Sequence, residues 1–350
     1  MHKSQNRTSK LIGVWLLLGV FLIIVQIVLG GITRLTGSGL SITEWKPILG
    51  FIPPLNESEW IAAFEKYQQI AQFKHLNSHF TLSDFKSIFF WEWLHRLWAR
   101  LLGIVFIVPF LWFLITGKFN RKMIMPLIWL FLLGALQGLI GWVMVQSGLN
   151  SERLYVSHIR LAIHFIAAMI LLIYTFWIAL TQLVPQFRVV VSQRLFYFTL
   201  MIGGLLILQL IYGAFMAGLK AGVFAPTWPT INGGFFMMSD SRFVALDLVN
   251  DPLIVHFIHR GFAYLIAILI LIWFFRVSRI ADNRWFTVAR CFPLIFVTLQ
   301  IGLGIWATLS SYKAVPQGWG IFEWTAQLHQ LCAIFLMLSI ILVAFIFRRE

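Results

Sequence analysis

The chain has 350 residues, of which 60% are hydrophobic and 11% are charged, and it carries a formal net charge of +14. Its mean hydropathy of +0.85 is higher than the core of a water-soluble protein of this size requires, which argues against a soluble domain. The basic excess does not indicate a nucleic-acid-binding protein, because Lys and Arg are scattered between apolar stretches and form no basic face on a soluble module.

Apolar runs of about 20 residues, the length that crosses roughly 30 Å of hydrocarbon as a helix, recur along the whole chain. We predict eight membrane-spanning helices, over 11–31, 92–115, 124–146, 158–182, 193–218, 253–275, 286–309 and 324–347. The first run ends at Gly30-Gly31 and not at a cleavage site of small residues, so we interpret it as an uncleaved helix. The fold class predicted is therefore an all-α integral membrane protein.

The basic residues of the short loops predict the orientation, because such loops stay on the cytoplasmic side. They lie before the first span and after the even-numbered spans, for example at Lys10, Lys118, Arg188, Arg276 and Arg348. We therefore predict that both termini are cytoplasmic and that segment 32–90 is periplasmic. The stretch before the first span is too short for a transit peptide, so we expect a bacterial inner membrane instead of a mitochondrial one.

The second half of the chain repeats landmarks of the first half at nearly constant spacing. The matched pairs are His95-Arg96 with His259-Arg260, Gln137 with Gln300, His164 with His329, and, less regularly, Gln26 with Gln209. Four spans make one repeat, and since four is even, both repeats have the same orientation. We predict two tandem, pseudo-symmetric four-helix bundles, over residues 1–185 and 186–350.

Four histidines of this repeat are candidate metal ligands. His95, His164, His259 and His329 lie on even-numbered spans, within about two turns of the same end, so they share one depth. Two helices of one bundle can hold a heme iron from both sides, which predicts one site for each histidine pair of the repeat. Zinc also binds imidazole, but neither pair shows two further ligands at similar depth. For any single histidine, a hydrogen bond to a neighbouring helix is the alternative.

The two halves differ beside the first histidine of each pair. Glu92 stands three residues before His95, whereas His256 stands three residues before His259, and this spacing places each on nearly the same helix face as its neighbour. A carboxylate favours acid-base chemistry in the N-terminal half. The alternative for Glu92 is a helix-start carboxylate that interacts with the helix dipole.

Other polar groups leave their roles open at this point. Three arginines near the predicted ligands are candidates to contact heme propionates or, equally, lipid phosphates: Arg96, Arg160 and Arg260. His158 and His256 are interpreted as neighbours of the ligands, alternative ligands or interfacial side chains. Cys291 and Cys332 form no CxxC motif, and we interpret both as buried core residues.

The segment that follows the first span resembles the first outer loop of heme A synthases. It comprises residues 30–41, Glu44-Trp45-Lys46-Pro47 and Pro53-Pro54. The resemblance extends over nearly the whole chain through Glu92–Arg96, Arg160–His164, Ala217–Gly222, Trp228-Pro229 and His259-Arg260. The sequence is most similar to the group of this family that proteobacteria and mitochondria share.

This resemblance implies an oxidoreductase that converts the C8 methyl group of heme O into the formyl group of heme A, with water as the oxygen source. It implies that His259 and His329 hold a resident heme b, and that His95 and His164 receive heme O beside the catalytic Glu92. The implied partners are heme O synthase, an electron acceptor and membrane lipid, with a homo-oligomer left open. Some members have a Cys pair in the first outer loop, whereas segment 32–90 has no Cys, which favours the carboxylate as the catalytic group.

Two other functions use the same histidines. A diheme membrane cytochrome for quinol electron transfer explains both pairs, but it does not account for Glu92 or for the outer loop. A heme transporter is the second alternative, although transporters favour broken helices near the middle of the membrane.

Overall fold

A computed structural model describes residues 2–46, 49–149, 153–184, 187–235, 244–280, 284–315 and 318–348. Over these ranges the chain is helical and contains no named strand. The α-helices are α1 (His2–Leu35), α2 (Glu57–Gln68), α3 (Leu82–Ile115), α4 (Arg121–Gln146), α5 (His158–Leu183), α6 (Gln193–Gly218), α7 (Asp247–Asn250), α8 (Pro252–Ser278), α9 (Arg284–Ala289), α10 (Phe292–Ser310) and α11 (Ile321–Phe347).

In this part of the chain, eight helical stretches are long and apolar enough to cross a membrane. They contain α1, α3, α4, α5, α6, α8, α10 and α11, of which α10 is counted together with the short α9. The predicted all-α class and the eight predicted spans are thereby confirmed, and the protein is a multi-pass membrane protein.

Helix α3 begins at Leu82, well before the predicted start of the second span at residue 92. Its N-terminus is a capping box, in which Thr81 accepts from the Asp84 backbone N–H and the Asp84 side chain accepts from that of Thr81. Hydropathy indicates only the apolar part of a helix, so the polar first turns were missed. His95 consequently lies about three and a half turns into α3, and not within the first two.

The connecting segment, residues 36–81, forms its own core against the extended start of α3. Seven buried residues make up this α2–α3 cluster: Leu40, Tyr67, Ile70, Phe80, Phe85, Ile88 and Phe89. Helix α2 is capped by Asn56, whose side chain accepts a hydrogen bond from the Glu59 backbone N–H. The connecting segment is thus a folded part of the molecule.

The seventh predicted span is interrupted. Helix α9 ends at Ala289 and α10 begins at Phe292, with Pro293 in the first turn of α10, where its missing N–H costs no hydrogen bond. Cys291 lies at this break and is partly exposed, so its predicted place in a buried core is wrong. The prediction is confirmed for Cys332, which is buried in α11.

Contacts divide the chain into two compact units. One contains Leu17–Leu172 and Val315–Trp319, and the other contains Met1–Leu16, Ile173–Ala314 and Gly320–Glu350. The first unit includes α2, α3 and α4 with the α2–α3 cluster. In the second, α6 and α8 are joined by a hydrogen bond between two buried residues, from Trp273 Nε1 to Thr199 Oγ1 at 2.8 Å.

Candidate functional site

In the second unit the imidazole rings of His259 on α8 and His329 on α11 lie next to each other, with the edge of one ring towards the face of the other. Their ring centroids are 6.3 Å apart and the ring planes make an angle of 75°. Two imidazoles that bind one metal between them, each through a bond of about 2.0 Å, have centroids about 6 Å apart. The predicted pair is therefore at a distance at which both rings could bind one metal ion.

The first unit holds the other predicted pair, His95 on α3 and His164 on α5. Each of the two imidazoles is partly buried. Among the residues that the structure describes, no group of three or more His, Cys, Asp or Glu side chains could hold a metal ion.

Each of the four histidines packs against a Gln-x-x-x-Gly segment of the spanning helix before it. The contacts join Gln26–Gly30 of α1 to His95, Gln137–Gly141 of α4 to His164, Gln209–Gly213 of α6 to His259, and Gln300–Gly304 of α10 to His329. Sequence reasoning matched the glutamines but missed the glycines and the contacts to histidine. The signal available was the same four-residue spacing in four spans.

The glycines give the imidazoles room to lie on the helix backbone. A Cβ added at Gly141 would lie 2.8 Å from Cε1 of His164, and one at Gly304 would lie 2.9 Å from Cε1 of His329. At Gly30 the nearest atom would be Nε2 of His95, and at Gly213 it would be Cε1 of His259, both at 3.3 Å. Any side chain at the first two positions would therefore displace the ring. The four glycines form cradles that fix where the imidazoles lie.

The glutamines contact the histidines through their amide groups. Gln26 Nε2 donates to the backbone oxygen of His95 at 3.1 Å, and Gln209 Nε2 lies 3.5 Å from Nε2 of His259. In the described part of the chain, the Oε1 atoms of all four glutamines are buried without a hydrogen-bond partner. Buried polar atoms in proteins are nearly always paired, so these four oxygens mark the surroundings of the imidazoles as places for a ligand or a rearranged amide.

Glu92 is buried inside α3, with 2% of its surface exposed. Its Oε2 accepts from Ser41 Oγ and from the Ile42 backbone N–H, both at 2.8 Å, and its Oε1 pairs with Arg96 Nη2 at 2.5 Å. The alternative of a helix-start carboxylate is wrong, because three turns of α3 precede Glu92. The carboxylate ties the connecting segment to the helix that carries His95.

Arg96 also attaches the connecting segment to α3. It donates to the backbone oxygens of Ile42 at 2.9 Å and Glu44 at 3.0 Å. The Glu44 side chain in turn pairs with Lys46 and Lys66, and these two cations lower the pKa of its carboxyl group. The guanidinium of Arg96 therefore binds the connecting segment, a role that sequence reasoning did not include among its candidates.

Arg260 makes the equivalent contacts after α6. It donates to the backbone oxygens of Thr227 at 2.7 Å, Thr230 at 3.1 Å and Ala225 at 3.3 Å, while its Nε donates to His256 Nε2 at 3.0 Å. His256 is 1% exposed, so it faces the interior and not the membrane surface. Arg96 and Arg260 thus attach their loops in the same way, while Glu92 also contacts its loop and His256 contacts Arg260.

The remaining candidates lie near the ends of helices. Arg160 is exposed on α5 and donates to the backbone oxygen of Val143 at 2.9 Å. His158 is the first residue of α5. Propionate contacts of the three arginines and the role of His158 stay predictions.

The sequence matches a known protein family over most of its length. Residues 13–341 match the COX15-CtaA family model, which is described as cytochrome oxidase assembly protein. The chain belongs to this family. The resemblance inferred from the first outer loop is confirmed.

Curated relatives within this family are similar over most of their length. The heme A synthase of Rhodospirillum centenum is 40% identical over 332 residues, which cover 91% of this chain and 88% of the relative. That of Flavobacterium johnsoniae is 38% identical over 342 residues, covering 95% and 96%. That of Rhodopseudomonas palustris is 42% identical over 307 residues, covering 85% and 80%.

Proposed function

We propose that this protein is a heme A synthase, an oxidoreductase that acts on heme O in the membrane. The observation that carries the proposal is the pair His95 and His164, with the buried, ion-paired Glu92 on the helix that carries His95. The chain is also 40% identical to a named heme A synthase. A histidine pair alone serves any diheme cytochrome. The carboxylate beside only one pair distinguishes a site for chemistry from a site for electron transfer.

His259 and His329 would hold a resident heme b. Their 6.3 Å centroid spacing and the glycine cradles at Gly213 and Gly304 fit two imidazoles that would hold one metal ion together. When bound, heme b supplies one-electron transfer. The protein's part is to hold the two rings in place and to keep water from the iron by its apolar helices.

His95 and His164 would bind the substrate heme O, whose C8 methyl group is oxidised. Conversion of a methyl to a formyl group with oxygen from water releases four electrons and four protons, through two hydroxylations and the loss of water from a gem-diol. Glu92, a carboxylate held in place by three donors, would accept protons from this reaction. The electrons require an acceptor in the membrane, and heme O synthase would supply the substrate.

The architecture that we propose consists of tandem pseudo-symmetric bundles over 1–185 and 186–350, with both termini cytoplasmic, in a bacterial inner membrane. The recurrence of the Gln-x-x-x-Gly contact with histidine in each half supports the repeat. The loop contacts of Arg96 and Arg260 support it independently. The N-terminal bundle would be catalytic and the C-terminal bundle would carry heme b.

The proposal is tested by purifying the protein from cells that supply heme O and analysing the extracted hemes by chromatography and mass spectrometry. We expect heme A or its hydroxylated intermediate with the natural chain, and heme O with Glu92→Gln and Glu92→Ala. Glu65→Ala, which changes an exposed glutamate of α2, is the control and should still yield heme A. Heme b alone in every sample, at two per chain, would refute the synthase and favour a diheme cytochrome.

A further inference from the structure

The matched residues Gln137 and Gln300 hold Nδ1 of the histidine that follows, but they do so with different atoms. Nδ1 of His164 lies 3.2 Å from the side-chain Nε2 of Gln137. Nδ1 of His329 lies 3.0 Å from the backbone oxygen of Gln300. One imidazole is therefore held by a side chain that can turn, and the other by the backbone of a helix.

The backbone contact fixes the tautomer of His329. A carbonyl oxygen only accepts hydrogen bonds, so Nδ1 of His329 carries the proton and Nε2 keeps its lone pair. The Gln300 amide lies 3.2 Å from that Nε2 and can donate to it only while no metal takes the lone pair. A metal-binding histidine normally gives its second N–H to such an acceptor, which leaves the other nitrogen ready for the metal.

The side-chain contact leaves His164 a choice of two tautomers. The Gln137 amide nitrogen donates to Nδ1 of His164 and to the His164 backbone oxygen, which is 3.0 Å away. Because Nδ1 then accepts a hydrogen bond, the ring proton stays on Nε2, the nitrogen left for iron. Turned by half a revolution, the amide presents Oε1, which accepts the proton of Nδ1 and frees Nε2, at the cost of the hydrogen bond to the His164 backbone oxygen. That oxygen is buried without a partner in the first orientation.

We propose that Gln137 is a positioning residue that makes His164 an exchangeable heme ligand, whereas the Gln300 backbone oxygen makes His329 a permanent one. This inference rests on the proposed function, in which the first pair must accept a substrate heme and release the product. Turning one buried amide converts His164 between a ligand form and a non-ligand form. His329 has no equivalent freedom, as a resident cofactor requires.

The test uses the full-length protein in detergent, loaded with hemin, and measures transfer of heme to an excess of apomyoglobin from each site. Gln137→Glu supplies an acceptor for Nδ1–H in either orientation, so we expect release from the N-terminal pair to slow by about 10-fold or more. Gln137→Leu removes the partner of Nδ1 and should weaken hemin binding there by about 10-fold to 100-fold. Gln300→Leu, the matched control, retains the backbone acceptor and should change release from the C-terminal pair by less than about 3-fold.

Equal effects of Gln137→Leu and Gln300→Leu on their own sites would overturn the inference, as would an unchanged release rate in Gln137→Glu. The comparison of Gln137→Glu with the natural chain decides the question even if the leucine variant fails to fold. His164→Ala separates this inference from the proposed function. If that variant keeps two hemes per chain, the N-terminal heme site itself is wrong.

Discussion

Glu92 shows how a single charge is accommodated in a membrane helix. A charged side chain at the centre of such a helix costs about 2.5–3.5 kcal/mol on insertion scales. The ion pair with Arg96 one turn later, together with donors from Ser41 and Ile42, offsets this cost. At the equivalent place Arg260 attaches its loop beside His256, so this kind of attachment does not require a carboxylate.

Gly304→Ala tests whether the cradles position the heme ligands. Its Cβ would meet Cε1 of His329 at 2.9 Å, so we expect the ring to shift and the heme-to-protein ratio of the purified protein to fall by about half. Gly302→Ala, on the same helix with no atom within 4 Å of the added Cβ, is the control and should keep its heme. The absorbance ratio of the Soret band to the protein band measures both. Equal heme contents would show that the cradle does not position His329.

At this scale the sequence predicted residue types better than contacts. The four histidines and Glu92 were predicted as site residues because polar groups are costly in apolar helices and these recur at one spacing. The hydrogen bonds from Ser41 and Ile42 to Glu92 were not predictable, since they join residues about 50 positions apart through a fold of the connecting segment.

The connecting segment shows the same limit for whole elements. Helix α2 and the first turns of α3 carry charged residues, so a search for apolar runs passes over them. They fold because the aromatic residues of the α2–α3 cluster pack together, and not because of membrane insertion. The break between α9 and α10 was missed for a related reason, because the hydropathy stays high across a helix interruption.

Tyr67 makes the α2–α3 cluster sensitive to alkaline pH. Its buried hydroxyl donates to Gln72 Oε1 at 3.0 Å and accepts from Asn77 Nδ2 at 2.7 Å, and burial raises its pKa to about 12. In the unfolded chain the tyrosine hydroxyl ionises near pH 10, so the stability contributed by Tyr67 is fully present below that pH. It falls by about 1.4 kcal/mol per pH unit between about 10 and about 12.

Tyr67→Phe should remove this alkaline loss and lower stability at pH 7 by about 1–3 kcal/mol, because it takes a buried partner from Gln72 and Asn77. Thermal unfolding in detergent at a series of pH values measures both effects. Tyr312→Phe, which changes an exposed tyrosine, is the control. The same alkaline slope in Tyr67→Phe and in the natural chain would assign the slope to other groups.

For the whole molecule, hydropathy predicts the most. The eight spans were predictable because the membrane imposes one length and one polarity on every crossing helix. The position of each helix against its neighbours was not, since all the spans are similarly apolar. Only the rare polar and small residues, such as Gln300 and Gly304, distinguish one helix face from another.

The topology is the prediction that belongs to this scale. Because an even number of spans places both termini on one side, and loops rich in Lys and Arg stay on the cytoplasmic side, we expect both termini to be cytoplasmic. Fluorescent protein fused after residue 350 should fluoresce, and alkaline phosphatase inserted after Asn56 should be active. Active phosphatase at the C-terminus together with inactive phosphatase after Asn56 would invert the orientation.

The attachment of Glu92 to Ser41 and Ile42 also has a consequence for biogenesis. A chain is made from its N-terminus, so the connecting segment leaves the ribosome before α3 does. When the glutamate arrives, the hydroxyl and the backbone amide that will bind it already exist, and Arg96 follows within one turn. The order of synthesis thus makes two of the donors available before Glu92 is inserted. A circular permutation that moved residues 36–46 behind α3 would insert the carboxylate into the bilayer before two of its three donors are made.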